Sequence, residues 1–309
     1  MRSQLINCFN AIRKNAFHVL LFSFLSISTN VIADESNNRK SELFHEYLQL
    51  AGLYNSIERT PEKLIDGFRK ELNSSTDFDL TDPNQMAFVG RVNASLEKTI
   101  TIGKYKQLLN LEVNENISLS MLEEAMEFYR TPLGVKIAAM NSNSEGALSS
   151  PEFRLFMKIY PDMEKSNARL SQISELFEVK QMHKDIAAIR IDIAIANVVG
   201  LQDSLPSQFQ EDFEFYVDET ELTIEAIEAT RLPMEATFAK FLTAYAYYAG
   251  QDLSDAEFKE YLESQQSAAS MALYEAHTTA HRNFSVKSAY SVGATLGRYT
   301  SELAMSSAE

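Results

Sequence analysis

Cysteine, tryptophan, proline and glycine are all scarce in this 309-residue chain, with counts of one, none, seven and ten. The one cysteine, Cys8, stands near the N-terminus ahead of an apolar run, which excludes a disulfide framework, a lipid-attachment cysteine and a cysteine nucleophile. A Gly-x-Ser-x-Gly elbow, a phosphate-binding glycine loop and a dinucleotide fingerprint are also missing. Positive charge is in deficit, since 28 basic residues against 43 acidic ones give a formal charge of −15. The acidic residues run through nearly every segment. Without a clustered basic footprint nucleic acid is excluded as a partner, and the same field disfavours anionic membrane surfaces.

What is present begins with a leader. Arg2, Arg13 and Lys14 precede an uncharged run from Asn15 to Ala33, apolar from Phe17 to Leu25 and polar from Ser26 to Asn30. That order is the order of a secretory signal peptide, and Val31 and Ala33 are small enough for a signal peptidase. Residues 1–33 are therefore expected to be removed by cleavage between Ala33 and Asp34, leaving about 276 residues in the periplasm or outside the cell. The mature protein is expected to be soluble, without stable membrane insertion. Three basic residues and no acidic one lie before position 34, so cleavage moves the charge from −15 to −18. An exported chain with no cysteine holds its fold by packing alone, and this length suffices for a sizeable core.

Few glycines and prolines, together with apolar residues at helical spacing almost everywhere after Ser41, predict an all-α, multi-helix chain. Leu43, Tyr47, Leu50 and Tyr54 form the first stripe. Thr60–Pro61, Asp82–Pro83, Thr131–Pro132 and Ser150–Pro151 each join an N-cap to a proline suited to a first helical turn, so each predicts a helix start. Breaks are expected from Asn73 to Pro83 and from Asn141 to Ser150. The second divides a first helical unit, 34–145, from a second, 146–309. Ile189, Ile191, Ile193 and Ile195 alternate with Arg190, Asp192 and Ala194 as in a strand. Helix remains the expectation, because Ile186, Ile189, Ile193 and Ala196 share one helical face and no partner strand is evident.

Sliding the chain on itself by 136 residues aligns it from about Leu96 to Met140. Ser118 falls on Ser254 and Glu124 on Glu260, while Leu122, Ala125 and Met126 fall on Phe258, Tyr261 and Leu262. Both helices would bury the same face, as in two degenerate copies of one helical unit.

The densest local motif is FYRTPLGVK, from Phe128 to Lys136. Tyr129 ends one helix, Thr131 caps the next, Pro132 fits its first turn and Gly134 leaves room for a close backbone. The segment SMLEEAMEFYRTPLGVKIAAM resembles the core of an uncharacterised bacterial secreted family, the domain of unknown function numbered 2059. That family's pattern is an acidic helix, then Phe-Tyr, a small residue, Pro, any residue, Gly and Lys, followed by an apolar helix. The resemblance covers about Ser118 to Met140 and reaches back to about Leu80. It implies an exported helical domain and brings no activity, substrate or catalytic residue. Thr131, Pro132 and Gly134 are read as a structural corner, and Tyr129 and Lys136 as candidate binding residues. In the second copy Ser267, Ala268, Ala269 and Ser270 replace Thr131, Pro132, Leu133 and Gly134, so a single straighter helix is expected there.

His277 and His281 stand four apart, a spacing that presents two imidazoles on one helix face to a single metal ion. Thr278 occupies the place of the zincin glutamate, so the metalloprotease pattern is not met, and a third ligand would have to come from elsewhere, with Glu275 and His183 as candidates that the spacing does not single out. Glu123, Glu124 and Glu127 fall on the polar side of an amphipathic helix. The leading expectation is an exported, non-catalytic helical protein of the cell envelope that needs no cofactor and binds a partner, another envelope protein. The rival is a metal-assisted hydrolase built on His277 and His281.

Overall fold

The structure, a computed structural model, describes residues 35–74, 82–163, 168–205 and 213–306. The leader and its cleavage point lie outside them. The described elements are α1 (Glu35–Leu50), α2 (Tyr54–Glu58), α3 (Thr60–Ser74), α4 (Pro83–Thr99), α5 (Ile102–Asn116), α6 (Leu119–Arg130) and α7 (Pro132–Ser149). They continue with α8 (Pro151–Met163), α9 (Ala168–Lys180), α10 (Met182–Asp203), α11 (Phe213–Glu228), α12 (Arg231–Ala249), α13 (Asp255–Gln265) and α14 (Ala268–Ser306). Among the described residues there is no strand, so the chain is all-α. No helix among them is long and apolar enough to cross a membrane.

Thr131–Pro132 and Ser150–Pro151 mark helix starts for the reason their chemistry suggests, whereas Thr60 already lies inside α3 and its hydroxyl donates back to the Ser56 carbonyl at 2.9 Å instead of capping. Thr131 Oγ1 accepts the Gly134 N–H at 3.0 Å, and Ser150 Oγ accepts the Phe153 N–H at 3.0 Å. Each cap satisfies a donor that the first helical turn leaves orphaned, and Pro132 and Pro151 sit where a missing N–H costs nothing. The corner between α6 and α7 is tight. A Cβ on Gly134 would lie 2.0 Å from the Phe128 carbonyl oxygen and 2.5 Å from Tyr129 Cα, so the close backbone is the last turn of the preceding helix. Gly134→Leu is expected to cost roughly 1–3 kcal/mol through that overlap, measured as a lower urea midpoint. An unchanged midpoint would mean that the corner accommodates a side chain.

The 39-residue α14 is the spine of the molecule. α10 packs along one side of it, and α4, α5 and α6 pack along others. Tyr105, Leu109 and Val113 from α5 meet Ala276, Ala280 and Phe284 of α14 in one buried cluster, which draws residues from Phe44 to Val292 and so from both sides of position 145. Each fully buried large side chain of this kind contributes about 1.5–3 kcal/mol of transfer free energy.

Lying between α14 and α11 explains the strand-like isoleucines of α10. Ile189 and Ile193 pack against Ala289 and Val286 of α14, while Ile191, Ala194 and Val198 pack against Ile227 and Ile224 of α11. A helix buried on opposite faces has no polar stripe, so its apolar residues fall at odd as well as helical intervals.

Two expectations are overturned. The Asn141–Ser150 segment is not a loop, because α7 runs through it to Ser149. Its polar side chains bond outward: Asn141 Nδ2 donates to the Ala51 carbonyl at 2.9 Å and Ser142 Oγ to the Gly52 carbonyl at 3.3 Å. Spent on the turn after α1, those groups no longer compete with their own backbone. Nor is the second corner a single straighter helix, since α13 ends at Gln265 and α14 starts at Ala268. Ser267 replaces the missing proline device, its Oγ accepting the Ser270 N–H at 3.1 Å. Of the expected break from Asn73 to Pro83, only its flanks at Ser74 and Asp82 fall in the described residues.

Candidate functional site

A cavity of about 500 Å³ opens where α1, α2, α6, α9, α13 and α14 converge. From α1 come Phe44, Tyr47 and Leu48, from α2 Ile57, and from α6 Ala125, Phe128 and Tyr129. α9 adds Leu176, Phe177 and Lys180, α13 adds Tyr261 and Gln265, and α14 adds Ser270, Leu273, Tyr274 and His277. The volume falls in the range of about 300–1,000 Å³ that small-molecule sites occupy, and the mixture of an apolar wall with a few polar groups is theirs as well.

Lys180 is the unusual member. In α9 the buried positions Ile173, Leu176 and Phe177 are followed at the same helical spacing by Lys180, which is 6% exposed. The residue therefore stands on the apolar face. Its Nζ donates to Gln265 Oε1 at 3.1 Å and to Ser270 Oγ at 3.3 Å, and sits 5.5 Å from the centroid of the Tyr274 ring. Burial pulls its pKa down to about 8; the nearby Asp185 is taken up by the Tyr274 hydroxyl at 3.0 Å, and the hydrogen bonds of Lys180 Nζ go to neutral groups. The next residue, Gln181, takes a left-handed backbone at φ 54°, a conformation that costs a non-glycine residue free energy. That turn divides α9 from α10 and sets Lys180 and Met182 both on the cavity wall.

The partner groups are held from several helices. Arg169 of α9 donates to the carbonyls of Gly250 at 3.2 Å and Leu253 at 3.0 Å, tying α9 to the turn ahead of α13. Gln265, at the end of α13, then accepts from Lys180 with its amide oxygen and is a hydrogen-bond neighbour of Tyr129. Tyr129 also has Asn141 and Tyr47 as hydrogen-bond neighbours, and its ring meets Tyr47 edge-on at 5.8 Å. Burial raises the pKa of Tyr47, Tyr129 and Tyr261, so these phenols stay protonated at neutral pH.

The candidate residues read from the sequence part company here. Tyr129 is on the cavity wall, whereas Lys136 is exposed and pairs with Glu257. Glu257 belongs to the Ser254 capping box of α13, and the Lys136 and Ser254 hydrogen bonds hold its carboxyl down at about 2. Lys136 thus fastens one helical corner to the next cap. Thr131, Pro132 and Gly134 build the corner itself, behind Tyr129.

His277 lines the cavity with exposed surface, and its Nε2 lies 3.2 Å from the Tyr105 phenol oxygen. His281 stacks at 6.1 Å from it. Desolvation of the rings by the packing around them lowers the pKa of both, that of His281 to about 3 with help from His277 and Arg190, so both imidazoles are neutral at pH 7. Neither proposed third ligand joins them. His183 is buried 3.5 Å from the Glu178 carboxylate, Glu275 is exposed, and among the described residues no group of three or more His, Cys, Asp or Glu is gathered for a metal.

Lys180 and Gln265 were not singled out from the sequence, and Tyr47 was read only as part of the first apolar stripe. For Lys180 the signal was there, a lysine continuing the apolar series Ile173, Leu176, Phe177, but a lysine in such a series is as readily a snorkelling edge residue. Gln265 and Tyr47 carry no local signature, because their roles come from helices far apart in sequence. No family model matches this chain, and no curated protein or solved structure matches it either.

Proposed function

We propose that this is an exported, non-catalytic binding protein of the cell envelope and that the cavity is its recognition site. The observation that carries the reading is the cavity's content: one buried amine, protonated phenols and amides on a largely apolar wall, with His277 bonded to the Tyr105 phenol and Glu124 exposed to solvent, a set suited to holding a group rather than transforming one. The leader from Arg2 to Ala33 supports export, and so does the resemblance of the Phe128 to Lys136 corner to the secreted family numbered 2059. A hydrolase on His277 and His281 would need a third ligand that the described residues do not bring to them.

Export is expected to leave Asp34 as the N-terminal residue of protein isolated from the envelope. A photoreactive benzophenone amino acid at position 125, inside the cavity, is expected to capture an envelope component in intact cells, and the same group at the outward position 136 is not. Capture from 136 alone would move the site off the cavity. Hydrolysis of ester, peptide or glycoside substrates that both a chelator and His281→Ala abolish would replace this reading with the metal-assisted hydrolase.

A further inference from the structure

We propose that the cavity binds a single-chain amphipathic carboxylate of the fatty-acid class, with its carboxylate on Lys180 and its chain along the apolar wall. The proposal deepens the reading of this chain as a binding protein and rests on it.

Charge complementarity carries the argument. A buried ammonium is costly unless it is paired, and folded proteins almost always supply the pairing carboxylate themselves. Here the fold supplies only neutral acceptors, Gln265 Oε1 and Ser270 Oγ, which occupy two of the three ammonium donors. One donor and the whole positive charge remain for an anion. Ser270 stands in the first turn of the long helix α14, whose N-terminal end adds positive potential at the same place.

The identity of the anion follows from what accompanies Lys180. Among the described residues lining the cavity it is the one basic side chain charged at neutral pH, because the His277 imidazole, its pKa lowered from the ordinary value, is neutral there. A single lysine without an arginine fork or a second cation matches one negative charge better than a phosphate dianion. Away from this pole, Phe44, Leu48, Ile57, Phe128, Phe177 and Leu273 form a mostly apolar wall, whose charged member, Glu124, is exposed to solvent. An alkyl body is the complement of that wall, since each methylene laid against it is taken out of water.

The test is calorimetric titration of the mature chain at pH 7 with laurate, lauryl alcohol and the lauryl trimethylammonium cation, each below its micelle-forming concentration. The three share one chain and differ only in the head. Laurate is expected to bind one per protein and at least about tenfold more tightly than the alcohol, with the cation weakest. Lys180→Met is expected to lose about tenfold or more in laurate affinity while holding the alcohol as before, and Ala125→Phe, which fills the cavity, to lose both. Equal wild-type affinity for laurate and the alcohol overturns the proposal without any variant. So does laurate binding unchanged in Lys180→Met. If laurate fails to bind while the photoreactive group at position 125 still captures a component, the carboxylate is wrong and the binding reading survives. Failure of both removes both.

Discussion

Gly293→Leu is expected to be the most damaging single substitution in the core, lowering stability by about 3 kcal/mol or more and separating α10 from α14. The crossing of these two helices is backbone on backbone. A Cβ on Gly293 would lie 2.0 Å from the Asn197 carbonyl oxygen and 2.8 Å from the Leu201 nitrogen, and one on Gly200 would lie 2.1 Å from the Tyr290 carbonyl oxygen. No rotamer relieves a clash at Cβ itself, so the helices must move apart, and the packing of Ile189 and Ile193 on Ala289 goes with them. Gly293→Ala gives the sharper reading because its sign is diagnostic. In an exposed helix interior that change stabilises by roughly 0.5–1 kcal/mol, whereas at a contact this close it should destabilise. Urea unfolding followed by far-ultraviolet dichroism measures both variants, and an alanine variant more stable than wild type would show that the helices are not in contact there.

Lys180→Met is expected to act in the opposite direction and to change the pH dependence of stability. The folded pKa of about 8 lies below an unfolded value of about 10.4, so between them the unfolded chain binds more protons and stability rises with pH. Below about pH 8 the full cost of the buried ammonium is present, and it is relieved as the pH climbs towards 10.4. A depression of this size corresponds to about 3 kcal/mol. Met keeps the length and removes the charge, but it takes the ammonium donor away from Gln265 and Ser270, leaving only the long Ser270 Oγ to Gln265 Oε1 bond at 3.5 Å, which returns about 1–2 kcal/mol. The net expectation is a gain of roughly 1–2 kcal/mol at pH 7 and loss of the rise between pH 8 and 10. The neighbouring Tyr274 does not obscure that window, since burial keeps its phenol protonated throughout it. Urea midpoints at pH 7 and 9.5 decide the matter, and a variant less stable at pH 7 that keeps the wild-type rise would assign the pH dependence to other groups. A residue whose removal stabilises the fold is one retained for something other than folding.

Local chemistry decided the parts of this protein that were legible in advance. Helical periodicity, few glycines and the capped prolines at Thr131–Pro132 and Ser150–Pro151 act within a few residues of themselves, so the all-α fold and its helix starts follow from the sequence by itself. The Gly134 corner was legible for the same reason, because its close contact is with the turn just before it. Where a side chain's partner lies far along the chain, tertiary structure decided. Asn141 and Ser142 look like loop residues until Ala51 and Gly52 accept their hydrogen bonds, and the isoleucines of α10 look like a strand until α11 and α14 cover opposite faces. Lys180 looks like a surface charge on a helix end until α13 and α14 close over it, bringing Gln265 and Ser270 from about ninety residues away. Burial depends on which helices meet, and that is set by the sum of many weak contacts that no short stretch of sequence contains.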